Sequence, residues 1–458
     1  MTEPYDVAIV GAGVVGTALA RELAGYDLRC VVVDAAADVG TGTTKANTAI
    51  LHTGFDATPG SLEARLVRRG FELLGEYAGR TGIAVERTGA LLVAWDDDQL
   101  AALPALAEKA RANGYTAIRE VGADELCARE PHLGAGARGG LEVPDESIVD
   151  PWTTPLAFAT EALAAGVGFR LGTRVLGVGG GPDGEHVLST TGGELRARWL
   201  VNAAGLGSDL LDRLLGHEDF TIIPRRGELI VFDKLARSLV TSILLPVPTA
   251  RGKGVLVAPT VFGNVLLGPT ADDVPDRTDT ATTAAGVTGL MEKGRRILPA
   301  VLDEEVTATY AGLRAATEHS DYRIRVHAEQ RYAVAGGIRS TGLSASMAIA
   351  EHLVELLEDA GLKLVPTARP EPPRMPALGE ASARPYQRAD LIAADASYGA
   401  VVCHCERVTR GELRDALASP LPPADLDGLR RRTRAMNGRC QGFWCGADVT
   451  RLLEEGRR

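Results

Sequence analysis

The stretch YDVAIVGAGVVGTALARELAGYDLRCVVVDA, residues 5–35, reads as strand, turn, helix, strand. Val7, Ile9 and Val10 form a short apolar run of the kind that builds a buried strand. Gly11, Gly13 and Gly16 follow in G-x-G-x-x-G spacing, and Leu19 and Leu23 continue on one helical face. The second strand, CVVVD, ends in Asp34. In such a unit the first glycine permits the tight turn and the second lets backbone approach a pyrophosphate. The third lets helix and strand pack closely. The phosphates lie at the helix N-terminus, where free N–H groups and the dipole favour an anion. Asp34 is placed to accept hydrogen bonds from the adenosine ribose hydroxyls. A glycine pattern of this length also occurs in bare turns. The flanking strands and the well-spaced acid select dinucleotide binding.

The rest of the composition bounds the function. At 458 residues the chain has room for about three domains. A net charge of −11 argues against general nucleic-acid affinity but leaves room for a local basic pocket. No apolar run reaches the roughly 18–20 residues that span a bilayer, and the N-terminus lacks the basic n-region of a signal peptide. The expectation is a cytoplasmic protein with no direct membrane span, peripheral to a membrane only through a partner. In that compartment paired thiols are metal ligands or redox groups more often than disulfides.

Downstream, residues 173–205 read as a β-meander that feeds a core strand ending in the small residues Ala203, Ala204 and Gly205. Its glycine run, GVGGGPDG, is followed by no helix and reads as a hairpin turn. In STGLSASMAIAEHLVELLEDAG, Leu343, Met347, Ala350, Val354 and Leu357 recur at spacings of four and three, an amphipathic helix opening at Gly342.

The segment GTTKANTAILHTGFD, residues 42–56, resembles the flavin-contacting segment of the D-amino-acid-oxidase-like superfamily of FAD-dependent oxidoreductases. Within it, the glycerol-3-phosphate dehydrogenase branch is the nearest likeness. VNAAG (201–205), PTARGKGVLVAPTVFGNVLLGPTADD (248–273) and GGIRSTGLSASMAIAEHLVELL (336–357) resemble the same branch in the same order. The resemblance implies an α/β fold: a Rossmann-like FAD-binding domain with a mixed-sheet α+β substrate domain. The FAD-binding domain is expected at 1–85, 141–215 and 311–362, and the cap at 86–140 and 216–310. Cofactor contacts are implied at Gly11, Gly13, Gly16, Asp34, Thr43, Thr44, Lys45, Asn47, Val175, Ala204, Gly205, Gly337, Arg339, Gly342, Leu343 and Ser344. The helix at Gly342 would point its N-terminus at the flavin pyrimidine edge and favour the reduced anion.

His52, inside the flavin segment, is the candidate catalytic base, since histidine titrates near neutral pH without much tuning. Arg314 resembles the family's substrate-binding arginine and is also a candidate catalytic residue. Lys253 is a second anion-binding candidate. Where the branch usually reads Glu-Ser-Pro-Gly, this chain has Arg339-Ser340-Thr341-Gly342. Arg339 could bind the substrate anion, raise the flavin potential or turn to solvent.

The chain ends differently. PTARPEPPRMPALGEASARP holds six of the 24 prolines and marks residues 363–397 as a stiff linker or a segment draped over the surface. Residues 398–458 resemble the bacterioferritin-associated-ferredoxin-like domain, with Cys403, Cys405, Cys440 and Cys445 as the implied ligands of a 2Fe–2S cluster. Zinc is the competing occupant, although Cys-x-Cys is tight for a zinc knuckle, and a redox disulfide is a third. The run Arg430, Arg431, Arg432, Arg434 and Arg439 either answers the anionic cluster or forms a solvated helix face. Cys30 and Cys127 read as packing residues.

The expected function is oxidation of glycerol 3-phosphate to dihydroxyacetone phosphate, with electrons leaving the flavin through the cluster to a redox partner protein or quinone-linked subunit. The same scaffold could act on a 2-hydroxy acid such as L-2-hydroxyglutarate or on an amino acid. A non-catalytic electron-transfer subunit is the alternative of another class.

Overall fold

The computed structural model describes residues 3–248 and 254–456. The opening strand–turn–helix forms as its pattern requires, with strand Tyr5–Val10, helix Val14–Leu23 and strand Cys30–Val33. These strands lie inside a parallel run ordered Gly168–Arg170, Cys30–Val33, Tyr5–Val10, Gly193–Asn202, Tyr332–Gly336. Strand Arg323–His327 adds antiparallel at one side. The long strand Gly193–Asn202 changes neighbour along its length. Its first half pairs with His186–Thr190 of the meander, and its second half pairs with Tyr332–Gly336. The glycine run spans the end of strand Val175–Gly180 and the turn that leads to His186–Thr190, a hairpin as expected.

The helix Gly342–Asp359 packs against Val14–Leu23 and Leu62–Thr81 and buries the whole periodic set Leu343, Met347, Ala350, Val354 and Leu357. Each large apolar side chain in that stripe contributes about 1.5–3 kcal/mol, so packing holds the helix N-terminus where the site needs it. Two glycines fix the opening turn. Gly11 has φ +115°, and a Cβ there would lie 2.3 Å from the Ala203 carbonyl oxygen. A Cβ on Gly16 would lie 1.9 Å from the Gly11 oxygen. Gly16→Ala therefore pushes the helix off the strand and is expected to leave a chain that loses most of its flavin on desalting. Flavin-to-protein absorbance measures this, and a wild-type ratio would refute it.

The second sheet has nine strands. Eight run Asp272–Asp273, Ile223–Phe232, Val265–Gly268, Leu256–Pro259, Ile243–Pro246, Ala90–Ala94, Gly139–Val143, Arg119–Gly122. Val306–Ala316 pairs along the other side of Ile223–Phe232. Strands Gly139–Val143 and Val306–Ala316 thus hydrogen-bond into this sheet along their whole length. The boundaries expected after 140 and 310 cut through cap strands. Apolar alternation marks a strand without saying which sheet it joins. A small sheet of Ile50–Leu51, Ser147–Val149 and Val85–Glu86 lies between the two larger sheets in sequence and carries site residues at its ends.

The proline-rich segment is draped and tied. Thr367 N–H donates to Gly25 O at 2.8 Å, Met375 N–H to Thr81 O at 2.7 Å and Glu380 N–H to Val261 O at 2.9 Å. Arg369 pairs with Glu22. Beyond it the C-terminal domain folds on its own small core. It has a hairpin of Val401–Cys403 with Val408–Thr409, then helices Arg410–Leu417, Leu426–Thr433 and Gly446–Gly456. Thr409 and Glu412 form a capping box at the first of these helices. Among the described residues no helix is long and apolar enough to cross a membrane.

Candidate functional site

A cavity of about 640 Å³ runs from the glycine turn to the cap sheet. Of the residues expected from sequence, Gly11, Gly13, Asp34, Thr43, Thr44, Asn47, His52, Ala204, Gly205, Arg314, Gly337, Arg339, Gly342 and Leu343 line it. Asp34 is already held by its own loop, accepting from Ala12 N–H at 2.6 Å and Ala36 N–H at 2.7 Å. That fixes the carboxylate at the end of its strand with lone pairs left for a ribose. Thr44 Oγ1 accepts from Val14 N–H at 3.0 Å, so the flavin segment caps the first helix. The elongated cavity, the two close-packed glycines and the helix end at Gly342 suit FAD.

Four expected contacts sit elsewhere. Gly16 acts through helix packing rather than on the cavity wall. Val175 does not line the cavity, whereas its neighbour Arg174 does. Ser344 is fully buried, and its hydroxyl accepts from His52 N–H at 2.8 Å and bonds Ile50 O at 3.3 Å, so it holds the histidine's backbone. Lys45 faces a different cavity. Lys253 lies outside the described residues.

His52 owes its setting to strand register. Ile50 pairs with Ile148 and Leu51 with Ser147, which brings His52 opposite Glu146. Its Nδ1 lies 3.1 Å from Glu146 Oε2. Glu146 is fully buried, and its Oε1 accepts from Thr53 N–H at 2.7 Å and from the Thr53 hydroxyl at 2.9 Å. A carboxylate only accepts, so the Nδ1 tautomer carries the proton and the lone pair falls on Nε2. Sequence reading missed Glu146, because nothing local marks it; only the antiparallel pairing places it.

Arg314 enters the cavity from strand Val306–Ala316 and donates from Nη2 to Thr270 O at 2.6 Å. That is one of five N–H donors, and the fork remains charged. Burial lowers its pKa from the usual arginine value, with Arg225 adding to the effect. Arg339 lines the cavity but is tethered, with Nη2 donating to Glu63 Oε2 at 2.7 Å and to Ser320 O at 2.6 Å. An ion pair with Glu63 replaces the outward turn to solvent as the third course open to it.

The four C-terminal cysteines gather at one place: Cys403 lies against Cys445 and Cys405 against Cys440, and Cys403 also acts on Cys405 and Cys440 on Cys445. Backbone N–H groups of Trp444, Gly442 and Phe443 point at the Cys440 sulfur and hold its pKa below the usual thiol value. Four thiols gathered from two short segments suit a cluster of two irons with cysteine sulfur on both. Of the other cysteines, Cys30 is buried and its thiol is pushed up to about 12. Cys127 is exposed, so the packing reading fails there.

The arginine run is neither a solvated face nor simply a counter-charge to a cluster. Arg432 grips Asp38 with both Nη atoms, at 2.6 and 2.7 Å, and Arg431 adds a third bond at 3.0 Å. Arg434 donates to Glu406 and Asn264 and lies 4.2 Å from the Phe262 ring centroid. Arg439 pairs with Asp233 and Glu305. Arg430 stays near its own helix, on Asn437 and Asp427. Four of the five thus pin the C-terminal domain to the body of the protein.

The family model described as FAD dependent oxidoreductase (DAO) matches residues 6–356. The chain belongs to this family. A second model, the BFD-like [2Fe-2S] binding domain, matches residues 401–455 of this FAD-dependent oxidoreductase. It is 33% identical over 452 residues to a glycerol 3-phosphate dehydrogenase of Caloramator mitchellensis, covering 98% of this chain and 94% of the relative. It is 32% identical over 288 residues to the mitochondrial L-2-hydroxyglutarate dehydrogenase of Homo sapiens, covering 59% of this chain and 61% of that one. Among solved structures, the dithionite-reduced L-alpha-glycerophosphate oxidase of Mycoplasma pneumoniae with FAD bound superposes with TM-score 0.76 at 29% identity, covering 81% of this chain and 98% of the other. The oxidoreductase is therefore a catalytic flavoprotein that binds FAD, carries a 2Fe–2S-type domain and acts on a small polar metabolite.

Proposed function

We propose that the chain is a dehydrogenase that oxidises glycerol 3-phosphate to dihydroxyacetone phosphate and passes the electrons through its cluster domain to a partner protein. The observation that carries this reading is the likeness to a glycerol 3-phosphate dehydrogenase along 98% of the chain, cluster domain included. Bound FAD supplies the acceptor for the hydride that leaves the carbinol carbon, and the cluster supplies one-electron carriage onward. Arg314 holds the phosphate through the donors that Thr270 does not use. His52 takes the hydroxyl proton at Nε2, and Glu146 steadies the resulting imidazolium from the other side of the ring. Tyr310 donates to Asn47 O at 2.6 Å and Thr43 to Leu313 O at 2.7 Å, which fixes the cap strand bearing Arg314 against the flavin segment. The cofactor residues are those lining the large cavity, and the cluster ligands are Cys403, Cys405, Cys440 and Cys445.

An anaerobic titration with glycerol 3-phosphate tests the substrate. Bleaching of the flavin band at stoichiometric addition is expected. An unbleached flavin that dithionite still reduces would move the substrate to the 2-hydroxy acids, a second reading that the L-2-hydroxyglutarate dehydrogenase likeness favours. L-2-hydroxyglutarate is the next addition.

Arg314→Ala is expected to raise the KM by at least tenfold with the FAD spectrum intact, since a buried charge-assisted hydrogen bond is worth about 1.5–3 kcal/mol. Unchanged saturation kinetics would remove the assignment. Cys405→Ser is expected to spare flavin bleaching by substrate while cutting delivery to a protein acceptor by more than tenfold. Equal loss of both steps would argue against the cluster as the exit.

A further inference from the structure

A second cavity, of about 490 Å³, opens where the C-terminal domain meets the cap sheet and the flavin segment. Lys45 lines it from the flavin segment, and Arg430, Asn437 and Gln441 line it from the cluster domain. Gln441 directly follows the cluster ligand Cys440, and Asn47 lines both this cavity and the cofactor cavity. The chamber therefore lies between the two redox parts of the molecule.

Its charge is unbalanced. Lys45 is exposed and has no ion pair or side-chain hydrogen bond among the described residues. Arg430 reaches a carboxylate only at 3.4 Å, the exposed Asp427, and otherwise bonds the side-chain amide oxygens of Asn437 and Gln441. Lys45, the Arg430 guanidinium and the Asn437 amide make a donor-rich lining on which Asp427 is the one carboxylate among the described residues. A compact polyvalent anion answers it better than a neutral molecule does.

We propose that this chamber is a second anion site, separate from the substrate site at Arg314, which takes a phosphate group either as inorganic phosphate or as a phosphate ester. Lys45 supplies a point charge from the flavin domain and Arg430 a planar fork from the cluster domain. An occupant bridges the two domains at the chamber between flavin and cluster, and its binding stabilises their docking by mass action.

The test is equilibrium dialysis of the FAD- and cluster-loaded protein against inorganic phosphate, with dihydroxyacetone phosphate as the second probe. Wild type is expected to bind two phosphates per chain, and Arg314→Leu to retain one. The pair Lys45→Ala with Arg430→Gln is expected to lose the chamber site, weakening it at least tenfold while FAD absorbance and cluster circular dichroism stay as in wild type. Phosphate should raise the Tm of Arg314→Leu but not of that protein with Lys45→Ala added. Tighter binding of dihydroxyacetone phosphate than of phosphate to Arg314→Leu would identify the ester as the occupant, and the reverse would identify the free ion. Should the substrate not be a phosphate ester, wild type shows a single site that survives Arg314→Leu and falls with the Lys45 and Arg430 changes. The proposal is overturned if Arg314→Leu abolishes all binding, if the Lys45 and Arg430 changes leave binding unaltered, or if uptake does not saturate and chloride displaces it, an adventitious ion only.

Discussion

Asp38→Ala is expected to slow substrate-driven reduction of the cluster by about two to three powers of ten while leaving reduction of the flavin nearly untouched. The Asp38 carboxylate is 2% exposed and is the meeting point of Arg431 and Arg432. Its own loop holds it as well, through Val39 N–H to Oδ1 at 2.8 Å. The pair is buried on both sides, with the side chain of Arg432 5% and that of Arg431 10% exposed. Removing one partner leaves two guanidiniums desolvated and unpaired, a loss on the order of 3–5 kcal/mol. At about 1.4 kcal/mol per factor of ten, the equilibrium constant for docking of the cluster domain falls by that many decades. The domain itself keeps its core, so its cluster spectrum should persist. The loop bearing Asp38 also holds Ala36, Thr41 and Gly42 on the wall of the FAD cavity, so the two reductions are compared in FAD-saturated protein. Stopped-flow absorbance separates the two reductions. Cluster reduction at the wild-type rate would show that the arginine clasp does not position the electron exit.

That clasp could not be read from the sequence, and the reason is distance. Arg432 and Asp38 are separated by 394 positions, and five arginines in ten residues look the same whether they face water or a carboxylate on another domain. What was legible is what is local. The glycine turn, the periodic helix at Gly342, the meander and the cysteine spacing each carry their reason within a few residues, and each formed as expected. Lys45 shows the limit of the same logic. It sits in the flavin-like segment, yet the one-turn 3₁₀ helix Thr43–Lys45 aims Thr43 and Thr44 at one cavity and Lys45 at another. The cap boundaries slipped for a related reason, since Gly139–Val143 and Val306–Ala316 are strands by pattern but cap strands only by pairing.

Glu146→Gln is expected to lower the rate of flavin reduction by about 10²–10³, within the range that a positioned general base contributes, with substrate binding and FAD content unchanged. Three hydrogen bonds reach the Glu146 carboxylate from donors: His52 Nδ1, Thr53 N–H and the Thr53 hydroxyl. Glutamine has one carbonyl oxygen to offer. Two of the donors sit on Oε1, so the oxygen is retained there and the amide nitrogen faces His52. An amide N–H then donates to Nδ1, which forces the ring into the tautomer protonated at Nε2, and that nitrogen no longer accepts the substrate proton. The tautomer is at fault, so raising the pH does not restore the rate. Single-turnover stopped-flow across a pH series reads both features. A rate equal to wild type would take His52 out of the role of base, and a loss rescued by alkali would overturn the tautomer argument. The buried carboxylate therefore does its work by accepting at Nδ1, and its position opposite His52 follows from the pairing of two short strands.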